Sequence, residues 1–286
     1  MIHVEQATSA DCEQVLPLLA GFNNPRITQE QWRSLFHYSW PGTKEARGFV
    51  LRDGERAVGF FGTIWSEREI CGHRERMCNL SSWITLPEYR NQSLLLLKSV
   101  MALGDCTITC HSPAAALYPL YKRFGFADLE TRLRILLPRP AWQSPADWLG
   151  YSASSDPDFI AAHVGEADRA VLEAHRPHRC GHLLIRGGGS YCYLIHTKTK
   201  GKRYHFSHLH YLSDRDIFLR NLDRIRLRLL CANATPLIMI DSRLVAGLDI
   251  PHSREVPLGI PHVYRSATLA PAQIDNLYSE LILLGL

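Results

Sequence analysis

Three sets of residues in this chain of 286 have types and spacings that could do chemistry. The first lies between Asn79 and Val100. A run rich in bulky and β-hydroxy residues, Asn79 to Leu86, is stopped by Pro87, passes through a short polar turn and becomes the leucine-rich segment from Leu94. That pattern predicts strand, loop and helix. The first amides of such a helix have no partner inside it, and its dipole adds positive potential. Arg90, Asn91, Gln92, Ser93, Leu94 and Leu95 could therefore hold a phosphate group. The second set is His175, His178, Cys180 and His182, with His208 and His210 sharing one strand face. These are metal-ligand types, but the spacing is not that of a standard zinc module, and no metal is expected. The third is Gly187-Gly188-Gly189, which lies before a strand rather than between strand and helix, so it reads as a turn and not a nucleotide loop.

At the first set a family resemblance enters. Pro87-Glu88-Tyr89-Arg90 followed by a helix resembles the signature of the GNAT (GCN5-related N-acetyltransferase) superfamily, Arg/Gln-x-x-Gly-x-Gly/Ala after a strand. The two small positions are here Ser93, a good helix-start residue, and Leu95, whose side chain must turn away from the loop. A second match lies at Ala114 to Phe126, where Leu120-Tyr121-Lys122-Arg123-Phe124-Gly125-Phe126 resembles the family's closing Leu-Tyr-x-x-x-Gly-Phe. It follows the apolar run Cys106 to Cys110 at the interval expected for the preceding strand.

The resemblance implies an acyl-CoA N-acyltransferase fold, α/β (α+β) with a mixed, mostly antiparallel central sheet flanked by helices. It implies acetyl-CoA or another acyl-CoA as co-substrate. The pantetheine arm would pair with the backbone of Ile84 and Thr85, with Leu86 just beyond. The reaction would be attack of a neutral amine on a thioester carbonyl, which needs a base for the ammonium and an acid for the departing thiolate. The family's acid position falls on Tyr121, with Tyr118 one turn earlier as the alternative; a tyrosine that only packs remains open. No carboxylate stands between Asn79 and Leu86, so the base is assigned to His111 at the end of the Cys106 to Cys110 strand, histidine having a reference pKa of about 6.5. A solvent-facing loop histidine and a water chain to a distant base remain open there.

The elements that must position these residues read in order. Ile2 to Ala7 alternates as a strand, and Thr8-Ser9-Ala10-Asp11 offers capping residues for a helix through Leu19. Gly21 to Pro41 holds Trp32, Phe36, Tyr38 and Trp40, which either line an acceptor pocket or pack a helix onto the sheet. Phe49 to Arg52, Asp53-Gly54 and Ala57 to Trp65 give a hairpin, and a turn at Cys71 to Arg74 leads into Arg76 to Leu86. Ala127 to Leu137 alternates as one more strand. The proline and serine cluster from Pro138 to Pro157 marks a linker, dividing the chain into 1–140, a linker 141–157, and 158–286.

In the second half, Tyr191 to His196 and Tyr204 to Leu212 form another hairpin, Asp214 to Leu230 reads as a helix, and Pro236 to Asp241 as a strand. Strand, break, helix, strand repeats the order at 76 to 110, so a second, degenerate GNAT-like domain is expected. Its break, Ser213-Asp214-Arg215-Asp216, is acidic and should repel a pyrophosphate.

Hydrophobic content of 46% and charged content of 21% are those of an ordinary globular chain, and a formal charge of +4 without a basic block gives no reason to expect nucleic acid. The eight scattered cysteines suit reduced thiols. No leader and no membrane-spanning run is read, so a cytoplasmic location is expected. A homodimer is compatible with the sequence, and the amine acceptor is not identified by it. The rival functions are an aminoacyl-tRNA-dependent transferase of related fold and a non-catalytic ligand- or partner-binding protein that kept the fold.

Overall fold

A computed structural model describes residues 1–42, 46–139, 150–201 and 203–286. The described residues group into two compact units, and the chain does not divide between them at one point. The first comprises Met1–Leu129, Ile260–Ile274 and Tyr278–Leu284, and the second Glu130–Gly259, Asp275–Leu277 and Gly285–Leu286. Residues 260–274 and 278–284, which the sequence reading grouped with the second half, thus belong to the first unit. Residues 141–149 of the expected linker lie outside the described residues, while Ser152–Ser154 of its remainder forms a strand.

In the first unit the sheet order is β1 (Ile2–Ala7), β2 (Gly48–Asp53), β3 (Arg56–Ile70), β4 (His73–Thr85), β5 (Thr107–Cys110) and the end of β12 (Ser253–Arg265). Only β4 and β5 pair in parallel; the other neighbours are antiparallel. Local chemistry accounts for several of these boundaries. The Thr8 hydroxyl accepts the Ala10 amide at 3.3 Å while the Asp11 carboxylate accepts the Thr8 amide at 2.7 Å, starting the helical segment that leads into α1 (Cys12–Ala20). Gly54 turns the first hairpin at φ +58°. At the next turn Cys71 and Gly72 both take positive φ, 52° and 79°, the conformation that matches the twist of a tight hairpin.

The sheet is buried on both faces, so Val58 to Ser66 of β3 read as a continuous buried run. Successive side chains choose opposite faces. Phe60 stacks on Phe36 with ring centroids 5.4 Å apart, on the side of α1 and α2 (Gln29–Ser34). Phe61 joins Trp65, Leu80 and Ile108 in the cluster closed by Leu96, Leu97 and Val100 of α3 (Ser93–Met101). Trp32, Phe36, Tyr38 and Trp40 are 7%, 0%, 4% and 2% exposed, so all four are packed in the first unit.

The strands of the second unit follow the order β7 (Ser152–Ser154), β8 (Gly181–Gly187), β9 (Ser190–Lys200), β10 (His205–Leu212), β11 (Ile238–Asp241) and β6 (Ala127–Leu136), the last from Glu130 on. Its one parallel pair is β10 with β11. The order of strand orientations along this sheet is the same as in the first unit. The helix expected over 214–230 is two helices, α5 (Arg215–Arg220) and α6 (Leu222–Asn233). They part at Asn221, whose backbone turns to φ −108° and ψ 19° and whose side-chain amide joins its own backbone amide in donating to the Ile217 carbonyl, each at 3.1 Å. Ile217, Phe218, Leu222, Ile225 and Leu229 of this pair cover Leu194, Leu209 and Ile240 of the sheet. Among the described residues no helix is long and apolar enough to cross a membrane.

Candidate active site

β4 and β5 part company inside the first unit. Their pairing runs from Met77 opposite Thr107 to Asn79 opposite Thr109. Beyond that point β4 continues to Thr85 while held only to β3, with Phe60 opposite Ile84 and Gly59 opposite Thr85. The register shifts just before, and Ser82 adopts φ +56°, rare for a residue with a side chain. A bulge of this kind bends and twists a strand, and strain of this kind collects at functional sites. The result is an edge of β4, from Ser82 to Thr85, that β5 does not cover. Ile84, Thr85 and Leu86, the residues assigned to pantetheine, lie on and just past it.

The loop assigned to the pyrophosphate is more regular than its sequence suggests. Pro87–Gln92 forms a 3₁₀ helix that runs straight into α3, and the Ser93 amide already donates to the Arg90 carbonyl. Arg90 and Asn91 are exposed and Gln92 and Ser93 half-buried. Leu94 and Leu95 are 52% and 42% exposed, so the Leu95 side chain turns to solvent as the resemblance requires. No acidic residue occupies the first turn of α3, which leaves its positive end uncompensated from within.

At the point where β4 and β5 separate, titratable groups gather. Tyr121, on α4 (Tyr118–Arg123), is 2% exposed, hydrogen-bonded to the Cys110 thiol and set edge-on to Phe126 and Trp83. Burial, with the charges of Cys110 and Glu280 adding to it, pushes its phenol well above the ordinary tyrosine value, which keeps the proton on. Tyr118, the alternative acid, spends its hydroxyl on Asp128 at 2.7 Å. His111 is buried at the end of β5, its ring 5.5 Å from that of His262 on β12, edge to face.

The sequence reading missed the carboxylate of this site. Glu280 opens the short helix α7 (Glu280–Leu284) and is 0% exposed. Its Oε1 accepts the His111 amide at 3.1 Å and the Ser112 hydroxyl at 2.9 Å, and its own amide donates to the Asn79 side chain at 2.9 Å. Asn79 in turn donates to the Thr109 hydroxyl at 3.1 Å, so one amide side chain brackets β4, β5 and α7. Burial raises the Glu280 carboxyl above the usual carboxylate range, against the pull of the Ser112 bond and of His262. The available sequence signal was a single acid heading an otherwise apolar stretch, Leu281 to Leu284.

Elsewhere in the first unit, Trp32 lines a surface pocket with Leu16, Pro17, Asn23, Pro25 and Ile27. In the second unit His182 donates to or accepts from the Tyr193 hydroxyl at 2.7 Å, and His196 pairs with the Asn233 amide at 3.0 Å. Cys180 lies 3.9 Å from His182, yet among the described residues no group of three or more His, Cys, Asp and Glu side chains has the geometry of a metal site.

A mixed sheet whose fourth and fifth strands run parallel and then part, covered by helices on both faces, is the fold of the GCN5-related N-acetyltransferases. Solved structures share it over most of the chain. One is a GCN5-related N-acetyltransferase from Anabaena variabilis, at 12% identity over 93% of this chain and 72% of that one, TM-score 0.60. Another, from Kribbella flavida, matches at 12% identity over 93% and 71%, TM-score 0.55. N-myristoyltransferase from Saccharomyces cerevisiae, with bound myristoyl-CoA, matches at 11% identity over 97% and 83%, TM-score 0.50. At such identities the likeness is one of fold. No protein-family profile and no curated protein sequence matches the chain.

Proposed function

We propose that the chain is an acyl-CoA-dependent N-acyltransferase whose first unit binds acetyl-CoA or a longer acyl-CoA and transfers the acyl group to an amine. The observation that carries this reading is the edge of β4 from Ser82 to Thr85, to which β5 does not pair, followed through the Pro87–Gln92 3₁₀ helix by the start of α3. A strand edge offers unpaired backbone groups to an extended, amide-bearing ligand, and a helix start favours the phosphates that such a cofactor carries. Tyr121, held protonated, would supply a proton to the departing thiolate. The second unit, with the same order of strand orientations, is read as a degenerate copy. Its corresponding break carries Asp214, which accepts the Ile217 amide at 2.8 Å and so fills with its own carboxylate the place an anion would take.

Calorimetric titration with acetyl-CoA tests the reading. The wild-type chain should bind in the micromolar range, and Ser93→Asp should bind at least ~10-fold more weakly, because a carboxylate in the first turn repels phosphate. The same carboxylate is stabilising for the helix by about 0.3–1 kcal/mol, so lost binding would not reflect lost folding. No heat with acetyl-CoA or with longer acyl-CoAs, from a folded wild-type chain, overturns the reading.

A further inference from the structure

A neutral amine is the nucleophile in acyl transfer, and amines arrive as ammonium ions. The residue that removes the proton must be in contact with solvent-borne substrate and in contact with a proton acceptor. Ser112 is the exposed member of the cluster at the end of β5, and its hydroxyl donates to the buried Glu280 Oε1 at 2.9 Å.

We propose that Ser112 and Glu280 form a proton relay, in which Ser112 Oγ touches the amine acceptor and the Glu280 carboxylate receives the proton. The proposal rests on the acyl-transfer reading of the first unit. Three observations support it. Glu280 is fixed rather than mobile, because its Oε1 accepts the His111 amide and its own amide is bonded to Asn79. Its Oε2 is buried with no hydrogen-bond partner among the described residues. An unsatisfied buried carboxylate oxygen costs stability that a leucine at the head of the apolar Leu281–Leu284 helix would not. Burial also makes this carboxylate a stronger proton acceptor than an exposed one. The titratable groups that interact with it are the His262 ring, the Cys110 thiol and the Tyr121 phenol, while His111 meets it through its backbone amide.

The ammonium gives a proton to Ser112 Oγ as the Ser112 hydroxyl proton passes to Glu280. The neutral amine then forms the C–N bond to the thioester carbonyl carbon. The C–S bond breaks, the thiolate takes the Tyr121 phenolic proton, and the phenol recovers one from the attached nitrogen. Products are amide, free CoA thiol and protonated Glu280, which returns its proton to water through Ser112.

The test compares two acceptors with the full chain and acetyl-CoA, following release of CoA thiol. Benzylamine is an ammonium ion at neutral pH, whereas hydroxylamine is largely neutral and needs no base. Ser112→Ala and Glu280→Gln should each lose ~100-fold in rate with benzylamine yet stay within about 3-fold of wild type with hydroxylamine. Ser112→Thr, which keeps the hydroxyl, should retain most of the benzylamine rate. Ser112 is exposed, so its variants report even if Glu280→Gln fails to fold. Equal losses with both acceptors, or no loss, from a wild type that transfers to both would overturn the relay and leave acyl transfer standing. A wild type that binds no acetyl-CoA and transfers to neither would overturn both.

Discussion

Replacing Tyr121 by phenylalanine should lower the turnover of acetyl-CoA with an amine by ~100-fold or more while leaving the Michaelis constant for acetyl-CoA nearly unchanged. The ring belongs to the core with Cys110, Phe126 and Val263 and stays there in the variant; only the hydroxyl bonded to Cys110 goes. A thiolate expelled into a desolvated site is a poor leaving group unless it is protonated as it departs. Tyr121 suits that task because burial holds its proton on across the neutral range. Steady-state rates for wild type and Tyr121→Phe decide the matter. A loss below about 3-fold would leave Tyr121 as a packing residue, since general acids normally contribute far more.

Acid should loosen the second unit. His182 and His196 are buried, and burial brings both down to about 4, with Arg176 acting further on His182 and His182 on His196. A histidine whose folded value lies below its unfolded value is neutral in the native state and protonated on unfolding between the two. Stability contributed by each is therefore complete above about pH 6.5 and is lost as the pH falls toward 4. The loss for each histidine is roughly 2 kcal/mol by pH 5 and about 3 kcal/mol by pH 4, taken singly. Urea midpoints measured by far-ultraviolet circular dichroism at pH 7 and pH 5 provide the check. The wild type should shift strongly, and the double variant His182→Gln with His196→Asn, whose side chains do not titrate, should shift much less. Equal shifts would place the acid sensitivity elsewhere.

The parts of this fold that were legible in the sequence are those specified by neighbours in the chain. The capping residues Thr8 and Asp11, the Asp53-Gly54 hairpin, the turn at Cys71-Gly72 and the stop at Pro87 each act over a few residues, and each falls in the structure where the sequence puts it. Asn221 shows the limit of that reasoning, because the apolar period from Ile217 to Leu230 continues across a residue whose backbone leaves helical dihedrals. The site was legible on one side only. Tyr121 entered through the family resemblance and His111 through the strand that ends beside it, but the carboxylate bonded to the His111 amide stands 169 residues further on. No local pattern links an acid heading a five-residue apolar helix to the end of β5. His262 was invisible for the same reason: its place beside His111 is set by the pairing of Val263 with Cys110, which depends on the whole unit closing.

The most direct test of a cofactor lying along β4 is amide hydrogen exchange read by mass spectrometry, with and without saturating acetyl-CoA. Backbone pairing with a ligand should slow exchange in peptides covering Trp83 to Leu86 and Arg90 to Leu95, and leave the corresponding edge of the second unit, Leu209 to Asp216, unchanged. Protection absent from Trp83 to Leu95, or appearing instead around Leu209 to Asp216, would contradict the placement of the cofactor in the first unit.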